Sequence, residues 1–119
     1  MLKYKLLLVL CVLVLLGCSS TPSESDMKGI VASIIDQSIV RQFSGVRFVD
    51  IEFKEFKILN SFNKKINGEN WYCAKIHTVY TGRALNPYTG QKNPRQTMTD
   101  TEQFRFQKQG NEWYGRKGW

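Results

Sequence analysis

The residues able to do chemistry in this chain are few: three cysteines (Cys11, Cys18 and Cys73), one histidine (His77) and ten carboxylates among 119 residues. A Cys–His mechanism needs thiol and imidazole within hydrogen-bond reach. Cys73 and His77 lie four residues apart in a run that begins Trp71-Tyr72-Cys73-Ala74-Lys75-Ile76 and reads as a strand. Four strand residues span about 13 Å, so the two form no dyad unless the strand folds or bulges. His77 reads as a sheet-face histidine. The densest acidic group is Asp50, Glu52 and Glu55, with Asp50 and Glu52 on one strand face. Such a pair suits hydrolysis, yet Lys54 and Lys57 among and after them give the pattern of a solvated face. One available thiol, one imidazole and scattered carboxylates make no ligand-spaced metal cluster. Neither a catalytic residue, a metal nor another cofactor is expected.

The N-terminus carries a different chemistry. Lys3 and Lys5 precede an unbroken apolar run of eleven residues, Leu6 to Leu16, followed by Gly17-Cys18-Ser19-Ser20. As a helix this run would rise about 17 Å against a hydrocarbon core of roughly 30 Å, too short to span comfortably. The architecture is that of a secretory signal. Within it, Leu15-Leu16-Gly17-Cys18 resembles the lipobox of bacterial lipoprotein precursors. The resemblance implies removal of residues 1–17, a thioether-linked diacylglycerol on Cys18 and a further acyl chain on the freed amine. At about 0.8 kcal/mol per buried methylene, two or three chains give a lasting anchor where one is marginal. Ser19, not aspartate, follows the cysteine, which implies an outer-membrane position facing the periplasm in a Gram-negative host. The alternatives are an ordinary signal peptide with an incidental cysteine and an uncleaved N-terminal helix.

Without the first 17 residues, 102 remain, enough for one domain with a modest core. Loss of Lys3 and Lys5 lowers the formal charge from +7 to +5. That is mildly basic and predicts no nucleic-acid partner. Cys11 leaves with the signal and Cys18 takes lipid, so Cys73 has no intramolecular disulfide partner and reads as a buried small apolar residue.

Residues 18–25 form the expected lipidated tether, and 26–119 the single globular domain. Met27, Ile30, Val31, Ile34, Ile35, Ile39 and Phe43 recur at helical spacing, with Ser25 or Asp26 able to cap the start and Gly45 the end. Strand patterns follow: Val46 to Phe53, then Phe56, Ile58 and Phe62 on flipped parity, which predicts a bulge near Lys54-Glu55. Asn67-Gly68 suits a hairpin into Trp71–Thr81, and Gly110-Asn111 another between Thr97–Gln109 and Glu112–Gly115. The expected fold is α+β, one N-terminal helix packed on a twisted antiparallel sheet of about four strands. Helix then meander, ending Phe104-x-Phe106 to Trp113-Tyr114-Gly115, resembles the cystatin and nuclear-transport-factor-like folds, which include many small bacterial lipoproteins.

The loop Gly82–Gln96 carries Arg83, Tyr88, Lys92 and Arg95 and no acidic residue. It is the sequence's candidate partner-binding segment, suited to an envelope protein or an anionic glycan; the bland reading is a connection kept soluble by its charges. Trp113, Tyr114 and Trp119 could stack on sugars, though a terminal Trp more often folds back onto its sheet. The expected role is a non-enzymatic, membrane-anchored accessory factor that binds a protein or cell-wall partner. A small hydrolase acting on envelope polymers and an inhibitor or exclusion lipoprotein are the alternatives.

Overall fold

The computed structural model describes residues 21–42 and 45–119. The signal segment, the lipobox with Cys18 and the expected last helical contact, Phe43, lie outside the described residues. Helix α1 (Glu24–Gln42) begins earlier than expected. Its cap is Ser23: the Asp26 N–H donates to Ser23 Oγ at 3.0 Å, and Asp26 Oδ2 accepts from the Ser23 N–H at 3.3 Å. This reciprocal capping box places Asp26 inside the first turn, not at the cap. Pro22 is already buried, so the domain takes in the last residues assigned to the tether. Gly45, at φ 94°, donates its N–H to the Val40 carbonyl at the other end of the helix.

The remainder is an antiparallel four-stranded meander in the order β1-β2-β3-β4. Its strands are β1 (Arg47–Ile66), β2 (Glu69–Leu85), β3 (Gln96–Gln109) and β4 (Glu112–Lys117). The fold is therefore α+β, with one helix on a four-stranded sheet. The predicted parity flip is a register shift between Phe53 and Glu55, and two further shifts, Val49/Glu52 and Ile58/Asn60, keep β1 one continuous strand. The first contains Asp50 at φ 56°, a left-handed conformation available to Asp at small cost.

Asn67 (φ 52°) and Gly68 (φ 81°) both turn left-handed, as a two-residue type I′ hairpin demands. The β2–β3 connection is shorter than expected, covering residues 86–95, because Phe48 and Arg47 of β1 continue the ladder to Ala84 and Leu85.

Met27 and Val31 of α1 pack on Ala74, Ile76, Phe104 and Phe106, flanked by Ile30, Phe53, Phe56 and Trp113. Gly115 of β4 lets the helix lie this close. A Cβ there would stand 2.5 Å from Ile30 Cγ2 and 3.0 Å from Phe106. The β2 and β3 side chains packed under the helix are even-numbered, since alternate strand residues face one side. The odd-numbered set therefore occupies the face away from the helix.

Candidate functional site

On that outer face the pairing aligns one residue from each strand: Phe62 with Cys73, Cys73 with Arg105, and Arg105 with Arg116. The tight Gly110-Asn111 turn sets the last pair. With Gln109 opposite Glu112, every second position places odd-numbered β3 residues opposite even-numbered β4 residues. The two arginines are thus directly opposite each other in the ladder. Like charges directly opposite on one sheet face repel. Among the described residues, neither Arg105 nor Arg116 has a carboxylate within salt-bridge distance.

Arg105 lies over the Trp71 ring, its Cζ 4.6 Å from the ring centroid. Stacking of this kind holds the guanidinium plane fixed and partly desolvated. Its Nε is buried with no hydrogen-bond partner. An unmet buried donor costs about 1–3 kcal/mol, more when it is charged. Both arginines line a groove of about 500 Å³ with Trp71, Asn67, Gln107 and Tyr114. That size lies within the range of roughly 300–1,000 Å³ for small-ligand sites.

The groove's polar groups are held by one another. Gln107 Nε2 donates to Glu69 Oε2 at 3.0 Å, and Gln109 Nε2 donates to Gln107 Oε1 at 3.1 Å. The Tyr114 hydroxyl donates to Glu112 at 3.1 Å, and this bond to a carboxylate raises the phenol's pKa. The hydroxyl therefore stays neutral at ordinary pH, its proton donated to Glu112 and its lone pairs open to a ligand. Amide and phenol groups bound this way suit hydroxyl-rich ligands, while the two arginines suit a carboxylate or phosphate.

Cys73 is fully buried beside Arg105, and burial pushes its thiol pKa up. Trp119 folds back across the sheet and packs edge-on against Phe62, ring centroids 5.2 Å apart. Cys73 is thereby part of the platform beneath the groove's neighbour row and holds no exposed thiolate.

The four loop residues singled out by the sequence divide. Arg83 donates from Nε to the Asn93 carbonyl at 2.9 Å. Lys92 Nζ meets Asp50 Oδ2 at 2.8 Å. Arg95 donates to the Asp50 carbonyl at 2.7 Å and to Thr81 Oγ1 at 3.0 Å, and lies 3.7 Å from Glu52. Lys92 and Arg95 clasp the loop onto the β1 bulge, and Arg83 ties it to β2. Tyr88 stands apart from them, 91% exposed at the loop tip. The carboxylate of Asp50 is engaged by Lys92, and that hydrogen bond is the chief cause of its lowered pKa.

His77 and Cys73 sit on one regular stretch of β2, whose ladder to β3 has no register break, so their strand separation stands. His77 Nδ1 is instead 2.7 Å from Thr101 Oγ1, and its Nε2 is 4.0 Å from Glu55. Thr101, His77 and Glu55 form a row across three strands. Glu55 is beyond hydrogen-bond range, and both it and Thr101 lie exposed on an open face.

Sequence reasoning passed over Arg105, Arg116 and Trp71. Their signal was the hairpin itself: counting outward from Gly110-Asn111 brings positions 105 and 116 together. No protein-family model matches this chain, and comparison with curated proteins and with solved structures finds no match.

Proposed function

We propose that this protein is a non-enzymatic, lipid-anchored envelope protein that binds an anionic glycan in the groove beside Arg105 and Arg116. The observation that carries the reading is the unneutralised pair of guanidiniums, one of them fixed on Trp71 with an unmet buried donor. A carboxylate or phosphate seated between them offsets their repulsion and accepts from both, and Gln107 and Tyr114 lie within the same groove for sugar hydroxyls. Among the groove-lining residues Glu69 is the single carboxylate, engaged by Gln107, whereas glycoside hydrolysis calls for two. That favours binding over cleavage.

Anchoring on Cys18 complements such a site. Cys18 lies four residues before the buried Pro22, a reach of at most about 14 Å, so the domain works against the membrane that holds it. The proposed setting is the outer membrane facing the periplasm.

The test is affinity electrophoresis of the purified protein through gels containing polygalacturonate or neutral dextran. Retardation by polygalacturonate alone, at least tenfold weaker for Arg105→Gln and for Arg116→Gln, supports the reading; equal retardation by dextran, or variants that behave as wild type, defeats it. Cys18→Ala should abolish palmitate labelling and leave the larger precursor, and normal processing of that variant would remove the anchor.

A further inference from the structure

Helix α1 has a definite direction over the sheet. Asp36 holds Arg47 and the Phe48 N–H where β1 begins, whereas Met27, near the helix start, packs over Ala74 and Phe106. Phe48 pairs with Ala84, far along β2 from Ala74, so the helix starts toward the end of the sheet that carries the Asn67-Gly68 and Gly110-Asn111 turns. Pro22, just ahead of the helix, is buried, and Cys18 is at most about 14 Å from it. A lipid on Cys18 therefore attaches at the same end as the two turns.

Past Tyr72 and Phe106 the ladder between β2 and β3 stops, and the two hairpins run on separately. β2 stays paired with β1 as far as Glu69 opposite Ile66, and β3 with β4 as far as Gln109 opposite Glu112. Alternation sorts the side chains of these tips between the two faces. Asn63, Lys65, Asn70, Tyr72, Lys108 and Trp113 stand on the helix side, while both carboxylates of the tips, Glu69 and Glu112, fall on the outer side with the arginines.

Lys65 and Lys108 are exposed, and Tyr72 and Trp113 are half-buried. The two rings, with Asn63, Asn70 and Lys108, line a cleft of about 380 Å³ that the helix leaves open. The acidic residues at the helix start are already engaged: Glu24 meets Lys28 Nζ at 3.4 Å, and Asp26 accepts from the Ser23 cap. Tyr and Trp settle at the depth of lipid headgroups, where one edge of the ring is wet and the rest is not. Lysines reach headgroup phosphates from the same level on long apolar stems. An aromatic and basic surface tethered this closely to a bilayer meets that bilayer at high effective concentration.

We infer that the helix-side surface of the two hairpin tips lies on the headgroup layer of the anchoring bilayer, with Trp113 and Tyr72 in the interface and Lys65 and Lys108 on anionic phosphates. The inference rests on the lipid anchor of the proposed function. Docked in this way, the domain turns its arginine groove, on the opposite face of the same tips, away from the lipid and leaves it open to a glycan.

The experiment reconstitutes the full lipidated chain into vesicles of phosphatidylethanolamine and phosphatidylglycerol, with and without acyl chains brominated near the headgroup, a contact quencher of tryptophan. Flotation reports the anchor, and quenching reports the docked surface. The wild type should float and be quenched. Trp113→Phe should lose most of the quenching, because Trp71 is buried against Arg105 and Trp119 packs on Phe62 on the outer face. Lys65→Glu combined with Lys108→Glu, both at exposed positions, should cut quenching at least twofold at unchanged circular dichroism, and this variant decides the matter even if Trp113→Phe misfolds. Tyr88→Trp, at the other end of the sheet, should add emission that bromine does not quench. A chain that floats unquenched, quenching that survives Trp113→Phe, or a quenched reporter in Tyr88→Trp would overturn the inference and leave the anchor standing. A chain that does not float defeats the anchor, and the inference with it.

Discussion

Arg105 and Arg116 face each other across the last ladder of the sheet, and Arg105 lies on Trp71 with its Nε buried and unpaired. A carboxylate in place of one guanidinium turns repulsion into attraction. Arg116→Glu is therefore expected to raise stability by up to about 1 kcal/mol, the scale of a favourable cross-strand charge pair, while abolishing retention on polygalacturonate. Urea denaturation and affinity electrophoresis of the same preparation check both halves. Stability and binding moving in opposite directions separate a ligand site from a structural one; a loss of both would mean that the arginines hold the sheet together.

The loop clasp should depend on pH. Asp50 has its pKa lowered from an ordinary 3.8, chiefly by the hydrogen bond from Lys92, with the charges of Lys92, Arg83 and Arg95 adding to it against desolvation. A carboxylate with a lowered folded value contributes stability above its unfolded value and loses it as pH falls through the folded one. Amide exchange in residues 86–95 is thus expected to accelerate below about pH 4, and Lys92→Met should give similar acceleration already at neutral pH. Unchanged exchange in Lys92→Met would show that the pair does not hold the loop.

Close approach at Gly115 yields a stability prediction with a built-in control. Gly115→Ala places a methyl 2.5 Å from Ile30 Cγ2, and overpacking of this kind costs about 1–3 kcal/mol. Ile30→Ala opens the space, so the double variant should recover part of that loss in a double-mutant cycle. Strict additivity in urea denaturation would place the strain elsewhere.

Much of the fold was legible because its signals are local. Helical spacing from Met27 to Ile39, the Asn67-Gly68 turn and the parity flip after Phe53 each act within a few residues, and each appears where it was read. The helix start moved because Ser23 and Asp26 bond reciprocally, which makes an expected cap an interior residue. The basic loop was harder. Its composition looked available for binding, but Asp50, more than forty residues away and turned outward by a left-handed bulge, engages Lys92 and Arg95. Such an encounter depends on β1–β2 register, which composition does not carry. Arg105 and Arg116 were overlooked for the converse reason: neither is conspicuous alone, and only the hairpin's count brings them together.

Trp119 sets the last prediction. Cys73 is fully buried on the outer face, opposite Phe62 in the ladder, and Trp119 packs edge-on against that phenylalanine. Burial is the leading cause of the raised thiol pKa, with Lys64 and Arg105 pulling weakly the other way. The thiolate is the reactive form, so native Cys73 should alkylate slowly at neutral pH. Trp119→Ala removes the ring over Phe62, lets water approach the thiol and weakens the desolvation, leaving the pull of the two cations. Alkylation by iodoacetamide in the Cys18→Ala background, with Cys11 also replaced by Ala so that Cys73 is the remaining thiol, should accelerate at least tenfold at unchanged circular dichroism. An unchanged rate would show that the terminal tryptophan does not shield the thiol.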